Sequence, residues 1–464
     1  MLISKKTRVR IACGLCSMLF LGSSLMTQAV DYAAEAENRK YMEIQSDDWK
    51  NWPAGPSNGA EGAILMDADT GAVLYAKNID TKEYPASITK VMTALVVMEN
   101  CDMEEQVTFS HEAVYSIERG SSNVGMDEGQ SMTVRESLYC LLLASANEVA
   151  NALAEHVAGS VDAFADMMNA KAAELGCTNT NFVNPHGLHD DNHYTTAHDM
   201  ALISRAFYEN ETLREMAGTI SYDIIASANQ PDSFQLMNHH RMLPGCMYGS
   251  RYNYEYAVGG KTGYTVIARE TLVTFAKKDD MNLICVIMKE EPHAQYTDSE
   301  DLFEYGFNNF KTMKLSDAVE TGTLNELGLN GATLTEDGYI TMPAKFEASD
   351  LEFQVDGTSL VCAYKATEDQ TIVLGSTGVE IAKQETVEVP AAETVETETE
   401  ENKKEIPAEG SLLQNIVKTV FLILMLALIG ALVVYVKHQV KRDKEQAEKR
   451  RAVLERMRKR REED

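Results

Sequence analysis

The order in which the hydrophobic period changes along the chain is what most constrains the fold. Glu61 to Asn78 (EGAILMDADTGAVLYAKN) carries two apolar strand-like runs joined at Asp69-Thr70-Gly71, which predicts a hairpin. Helical spacing then takes over, with Ile88, Val91, Met92, Leu95 and Val96 falling on one face. Thr133-Val134-Arg135-Glu136 is a capping box opening a helix through Leu143, and Thr196-Ala197-His198-Asp199 is a similar acidic cap for a helix through Tyr208. Between them, Val161 to Leu175 has helical apolar spacing that stops at Gly176. After Gly259-Gly260 strands return, as two apolar runs from Thr271 to Lys289 around a Lys-Lys-Asp-Asp turn, followed by a helix from Ser299 to Phe310. Strands on either side of a helical stretch imply one sheet built from both ends of a domain, an α+β architecture over residues 58–312.

The flanking segments differ in character. Residues 30–57 are polar and read as an irregular N-terminal segment. Short alternating runs (YITMPAKF, LEFQV, LVCAYKA, TIVLG) between Gly and Asp turns predict a small all-β domain over 313–383. Residues 384–411 hold nine Glu and two Lys with Pro390 and Pro407, the composition of an extended, self-repelling acidic linker.

Both ends of the chain carry membrane signals. Residues 1–29 have Lys5, Lys6, Arg8 and Arg10, no acid, an apolar run from Ile11 to Met26 and the small-residue exit Thr27-Gln28-Ala29, which reads as a secretory signal peptide. An uncleaved anchor is the alternative, and either exports the body of the chain. The apolar stretch over 412–436, uncharged between Lys418 and Lys437, is long enough at about 1.5 Å per residue to form a transmembrane helix. Residues 437–464 carry 12 Lys/Arg against 7 Asp/Glu, as expected of a basic cytoplasmic tail. With the formal charge at −29 overall, the signal at +4 and the tail at +5, residues 30–436 carry −38, which argues against a nucleic-acid partner. Outside the signal six cysteines are scattered without zinc-ligand spacing, and their pairing is not readable. The crowd His186, His189, Asp190, Asp191, His193 and His198 likewise lacks that spacing, so neither a metal nor a cofactor is expected.

Three short motifs carry the chemistry. Tyr84-Pro85-Ala86-Ser87-Ile88-Thr89-Lys90 places Ser87 at a helix start and Lys90 one turn on, on the same face. A serine hydroxyl needs a neighbour to take its proton, and a desolvated lysine beside other cations is neutral enough to do so. Alone, S-x-x-K is a weak signal and usually marks a capped helix with a solvated lysine. Leu143-Ala144-Ser145-Ala146-Asn147 breaks one apolar helix and begins the next, the kind of interruption that presents short polar side chains to a cleft. Gly259-Gly260-Lys261-Thr262-Gly263-Tyr264-Thr265 precedes a strand and puts Lys261 and Thr262 at a sheet edge; by itself it is a Gly-rich turn without phosphate-loop spacing.

S-x-x-K, S-x-N and K-T-G in this order are the signature of penicillin-binding proteins and class A β-lactamases. The sequence resembles the low-molecular-mass serine D-Ala-D-Ala carboxypeptidases of peptidase family S11 over roughly residues 55–380, through AILMDADTGAVLYAKN, YPASITKVMTALV, LLLASANEVANALAEHVAGS, FADMMNAKAAELG, TNFVNPHGL, GGKTGYT and LFEYGFNNF. The resemblance implies a transpeptidase/β-lactamase-like domain, an antiparallel sheet with a helical cluster, followed by a small β domain holding it off the membrane. It implies Ser87 as nucleophile, Lys90 as base, Ser145 as proton relay with Lys261, and Asn147, Lys261, Thr262, Gly263 and Tyr264 as substrate-binding residues, with the backbone N–H groups of Ser87 and Tyr264 as oxyanion hole. Partners would be peptidoglycan stem peptides, β-lactams as covalent inhibitors, and a bacterial cell membrane crossed once with the catalytic domain outside. A β-lactamase, an endopeptidase on D-Ala cross-links, and a silent wall-binding or β-lactam-sensing protein are the competing readings.

Several positions depart from the family pattern. The second motif reads Ser-Ala-Asn-Glu where Ser-Gly-Asn-Asp is usual, and Ala268-Arg269-Glu270 stands where an Ala-Gly pair is common. Gln295-Tyr296 lies where a basic residue often precedes the last helix.

Overall fold

A computed structural model describes residues 32–248, 250–319, 322–335 and 338–381. The signal, linker, transmembrane and tail segments expected above lie outside the described residues, and no helix among those described is long and apolar enough to cross a membrane.

The chain enters as α1 (Tyr32–Arg39) and a 3-10 turn (Gln45–Asp48), in the stretch expected to be irregular. The helix's sequence prints no clear period because, of residues 34–39, only Ala36 and the terminal Arg39 are buried, yet Trp49 and Trp52 just beyond it are buried. The expected hairpin follows as β1 (Gly62–Asp67) and β2 (Val73–Lys77), with Asp67 accepting from the backbone N–H groups of Asp69 and Thr70 in the turn. The helical stretch comprises α2 (Lys90–Asn100), β3 (Gln106–Thr108), α3 (His111–Tyr115), β4 (Ser131–Thr133), α4 (Val134–Leu143), α5 (Asn147–Ala158), α6 (Val161–Glu174), α7 (Ala197–Glu209) and α8 (Glu211–Gly218). The capping box on Thr133 and Glu136 forms as expected, and Thr196 caps α7 through the N–H of Asp199.

After the small hairpin of β5 (Ser221–Ile224) and β6 (Phe234–Met237), three long strands close the main sheet: β7 (Ala257–Thr265), β8 (Arg269–Lys278) and β9 (Met281–Glu290). The order is β2-β1-β9-β8-β7, all antiparallel, so the N-terminal hairpin joins the late strands through β1 and β9, and β7 is an edge. Strand alternation splits the apolar residues between two cores. Ile64, Met66, Val273, Ile284 and Val286 face the helical cluster. Ala63, Leu65, Leu283, Cys285 and Ile287 face the other way, toward Leu302 and Phe303 of α9 (Ala294–Asn309). That helix begins five residues before the expected Ser299.

A second sheet spans 310–381, built from β10 (Phe310–Lys314), β11 (Ala332–Leu334), β12 (Tyr339–Pro343), β13 (Glu352–Asp356), β14 (Ser359–Lys365) and β15 (Thr371–Ile381), with two one-turn helices, α10 (Leu315–Ala318) and α11 (Thr323–Glu326), between the first two strands. Its Ile340, Leu360, Cys362 and Leu374 belong to the same apolar cluster as the outer face of the first sheet. Trp52 sits where the two meet, its ring centroid 5.4 Å from Phe310 and 6.1 Å from both Phe346 and Tyr364.

Candidate active site

Ser87 lies in a 3-10 turn (Ala86–Thr89) that runs straight into α2, so Lys90 is the first residue of that helix. Ala86 is held at φ 50, a conformation that disfavours side chains, and the surroundings enforce it. Thr271 Oγ1 on β8 donates to Pro85 O (2.8 Å). Thr89 Oγ1 donates to Ala86 O (2.8 Å), and its other partner is His193 Nε2, also at 2.8 Å. The His193 Nδ1 accepts from the Val183 N–H (3.1 Å), so the ring proton is on Nε2 and points at Thr89. Burial brings His193 down to about 4, so that tautomer is neutral at ordinary pH. Gly187, in the Asn184-Pro185-His186-Gly187-Leu188 loop, packs directly on the same turn: a Cβ there would stand 1.8 Å from Ala86 O.

Lys90 is fully buried, and its Nζ has three partners: Asn147 Oδ1 at 2.7 Å, His186 O at 2.7 Å and Ser87 Oγ at 3.2 Å. Burial, and secondarily the Lys261 charge, hold its ammonium well below the usual lysine range, against the opposing pull of Glu148. A neutral amine has two N–H bonds and one lone pair. Both carbonyl oxygens can only accept, so they take the two N–H groups, and the lone pair is left for the hydroxyl proton of Ser87.

Ser145 falls in the break between α4 and α5, at φ 60 and buried, and its hydroxyl has no hydrogen-bond partner among the described residues. Asn147 opens α5, and its N–H donates to Ser122 O (2.9 Å). Glu148, also buried, accepts from the N–H groups of Val124 (2.6 Å) and Gly125 (3.1 Å). The second motif therefore holds the Ser116–Gly129 connection as well as Lys90.

Lys261, Thr262, Gly263 and Tyr264 lie within β7 itself rather than before a strand, on the expected sheet edge. Lys261 is buried, brought down to about 7 by that burial, and its Nζ donates to Thr262 O (2.9 Å). Thr262 is half-buried and Tyr264 exposed. Gly263 lets β7 close on the serine turn: a Cβ there would lie 2.3 Å from Thr271 Oγ1 and 2.9 Å from the Ser87 nitrogen.

The structure thus joins Ser87, Lys90 and Asn147 by direct hydrogen bonds, and brings Gly263 against Ser87 and the Lys261 charge near Lys90. His186, His193, Thr271 and Glu148 were not foreseen as parts of the site. Two histidines of the crowded stretch serve as hydrogen-bonding groups: His186 Nδ1 accepts from the Leu188 N–H (3.1 Å), and burial keeps this ring well below the usual histidine range. Both residues of the Arg269-Glu270 departure reach partners beyond each other, and the Arg269 charge opposes the effect of burial on the Glu270 carboxyl. Arg269 binds Glu291 (2.7 Å), while Gln295 Nε2 donates to Glu270 (3.1 Å), whose carboxyl burial pushes up to about 7.

Comparison with known proteins adds to this geometry. Residues 50–292 match the peptidase S11 family, described as D-alanyl-D-alanine carboxypeptidase. The D-alanyl-D-alanine carboxypeptidase DacF of Bacillus subtilis is 33% identical over 65% of this chain and 72% of its own length. The D-alanyl-D-alanine carboxypeptidase DacB2 of Mycobacterium tuberculosis is 34% identical over 55% of this chain and 86% of its own. Among solved structures, penicillin binding protein 5 of Haemophilus influenzae superposes with a TM-score of 0.55 at 25% identity, covering 70% of this chain and 99% of that one. The Streptomyces K15 DD-transpeptidase superposes with a TM-score of 0.51 at 28% identity, covering 55% and 100%.

Proposed function

Because this chain belongs to the peptidase S11 family of D-alanyl-D-alanine carboxypeptidases, we propose that Ser87 is the nucleophile of a serine carboxypeptidase that removes the terminal D-Ala from peptidoglycan pentapeptide stems. The observation that carries the assignment is the Lys90 amine, with both N–H groups taken by carbonyl acceptors and its lone pair left for Ser87. Lys90 takes the hydroxyl proton as Ser87 Oγ attacks the penultimate D-Ala carbonyl carbon. The N–H groups of Ser87 and Tyr264 receive the developing oxyanion, a position supported by the close approach of Gly263 to Ser87. As the C–N bond breaks, the leaving amine of D-Ala takes a proton, relayed from Lys90 through the hydroxyl of Ser145. Water then cleaves the acyl-enzyme by the reverse proton movements.

Asn147 holds Lys90 and binds the peptide amide, and Lys261 and Thr262 receive the terminal carboxylate. A β-lactam acylates Ser87 as a mimic of the same substrate. Incubating the full chain, purified in detergent, with a muropeptide pentapeptide is expected to release one D-Ala by mass spectrometry. A fluorescent penicillin should label the wild type and leave Ser87→Ala unlabelled; labelling of that variant removes Ser87 from the mechanism. Rapid penicillin turnover without D-Ala release would instead indicate a β-lactamase.

The enzyme works outside the cell in this reading, exported by residues 1–29 and held by a single span over 412–436 with residues 437–464 in the cytoplasm. The sheet of 310–381 and the acidic linker then set the height of the site above the membrane. Protease added to intact cells is expected to remove the body and spare the tail.

A further inference from the structure

Cys101, Glu105 and His156 come from three separate elements, and one donor atom of each lies within 4.8 Å of the other two. Cys101 follows the last residue of α2, Glu105 precedes β3, and His156 is in the last turn of α5. From this cluster we infer that the protein carries a structural binding site for a borderline-soft divalent cation of the zinc class, held by Cys101 Sγ, a Glu105 carboxylate oxygen and a ring nitrogen of His156.

The donor set fits the ion. A thiolate, a carboxylate and a neutral imidazole sum to −2, which cancels a dication, and these are the three ligand types zinc takes at about 2.0–2.3 Å. Such bond lengths place neighbouring ligand atoms roughly 3.3–3.7 Å apart in a tetrahedron, and His156 Nε2 and Glu105 Oε2 already stand 3.0 Å apart. Glu105 is pre-oriented, because its other oxygen accepts from the Asp102 N–H at 2.7 Å. Cys101 and His156 are half-buried and Glu105 is exposed, so the ion has a route in and solvent can take the fourth position. The Glu105 and Asp102 carboxylates beside Cys101 favour a dication there. On binding, the ion displaces the thiol proton to solvent.

The location gives the site a purpose. The helices meeting at the cluster, α2 and α5, begin at Lys90 and Asn147, whose side chains are bonded at 2.7 Å. An ion at the far ends fixes the two helices about 16 Å away along α2, so the pair is held at both ends. Zinc spacing is absent from the sequence because His156 lies 51 residues beyond Glu105.

The full chain, purified in detergent and stripped with chelator, is titrated with Co²⁺ alone and then Zn²⁺ alone. One equivalent of Co²⁺ should produce a near-ultraviolet thiolate-to-cobalt charge-transfer band, and Zn²⁺ should abolish it and raise the Tm. Cys101→Ser should lose the band and the Tm gain, His156→Asn should weaken Co²⁺ binding more than about tenfold, and Cys177→Ser, at a thiol outside the cluster, should retain both. Penicillin labelling reports that each variant is folded. No band in the folded wild type, or one that survives in both Cys101→Ser and His156→Asn, overturns the site.

Discussion

Lys90 can accept a proton only while uncharged, and Lys261 holds a carboxylate best while charged, so the proposed chemistry asks two buried lysines to differ. Burial and the Lys261 charge hold Lys90 well below the usual lysine range, and burial brings Lys261 to about 7. The expected kcat/KM for D-Ala release therefore rises with pH as Lys90 loses its proton, then falls above about 7 as Lys261 loses its own. Lys261→Arg keeps the charge at all working pH values, and its alkaline limb should move up by at least about one pH unit; an unmoved limb assigns it to another group. Gly263→Ala should slow labelling by fluorescent penicillin on the order of 100-fold, because its Cβ collides with the Ser87 nitrogen and Thr271 and displaces an oxyanion donor. At this scale the meeting of Ser87, Lys90 and Asn147 was legible, since side chains that bond to one another are spelled out. The carbonyl of His186 was not: a backbone acceptor leaves no mark on the residue that supplies it.

Helix starts were the most legible elements. Thr133 with Glu136 and Thr196 with Asp199 advertise their caps, and the Ser145 break appears where α4 gives way to α5. What could not be read is which loops those elements hold. The Asn184–Leu188 loop is seated on the serine turn by Gly187 and by Thr93 Oγ1, which donates to Pro185 O (2.6 Å). Gly187→Ala puts a Cβ at φ 86 against Ala86 O and should destabilise the fold by about 2–4 kcal/mol in denaturant unfolding. Glu148→Ala unties the N–H groups of Val124 and Gly125. That variant should be cut faster by protease within residues 116–129, and an unchanged digestion rate means that the segment is held elsewhere. Glu148 of the second motif thus has a structural use.

For the whole molecule, the sheet made from both ends of the domain was legible because strand and helix periods do not mix. The shared core was not, since alternation tells which side chains are buried and not what they are buried against. Buried carboxyls tie stability to pH. Glu83 and Glu270 are pushed up to about 7 by burial, and Glu290 is also pushed up, by burial and then by Asp298. Between the unfolded carboxyl range and these values the folded state keeps protons that the unfolded chain has released, so the stability these carboxyls contribute is fullest at the acid end and is lost as pH rises from about 5 past 7. The buried histidines His186 and His193, held below their usual range, pull the other way between about 4 and 6.5, so the check is differential: Glu290→Gln should lose less Tm than the wild type as pH rises toward 8, and an unaltered slope clears Glu290. The pairing of β1 with β9 also fixes when the enzyme can first act. A ribosome delivers Ser87 and Lys90 early, but β7 and its Lys261 arrive some 170 residues later, and the sheet that aligns them needs β8 and β9 after that. A nascent chain carrying Ser87 therefore lacks the sheet that brings Lys261 to it, and the site is assembled only when almost the whole domain has been made.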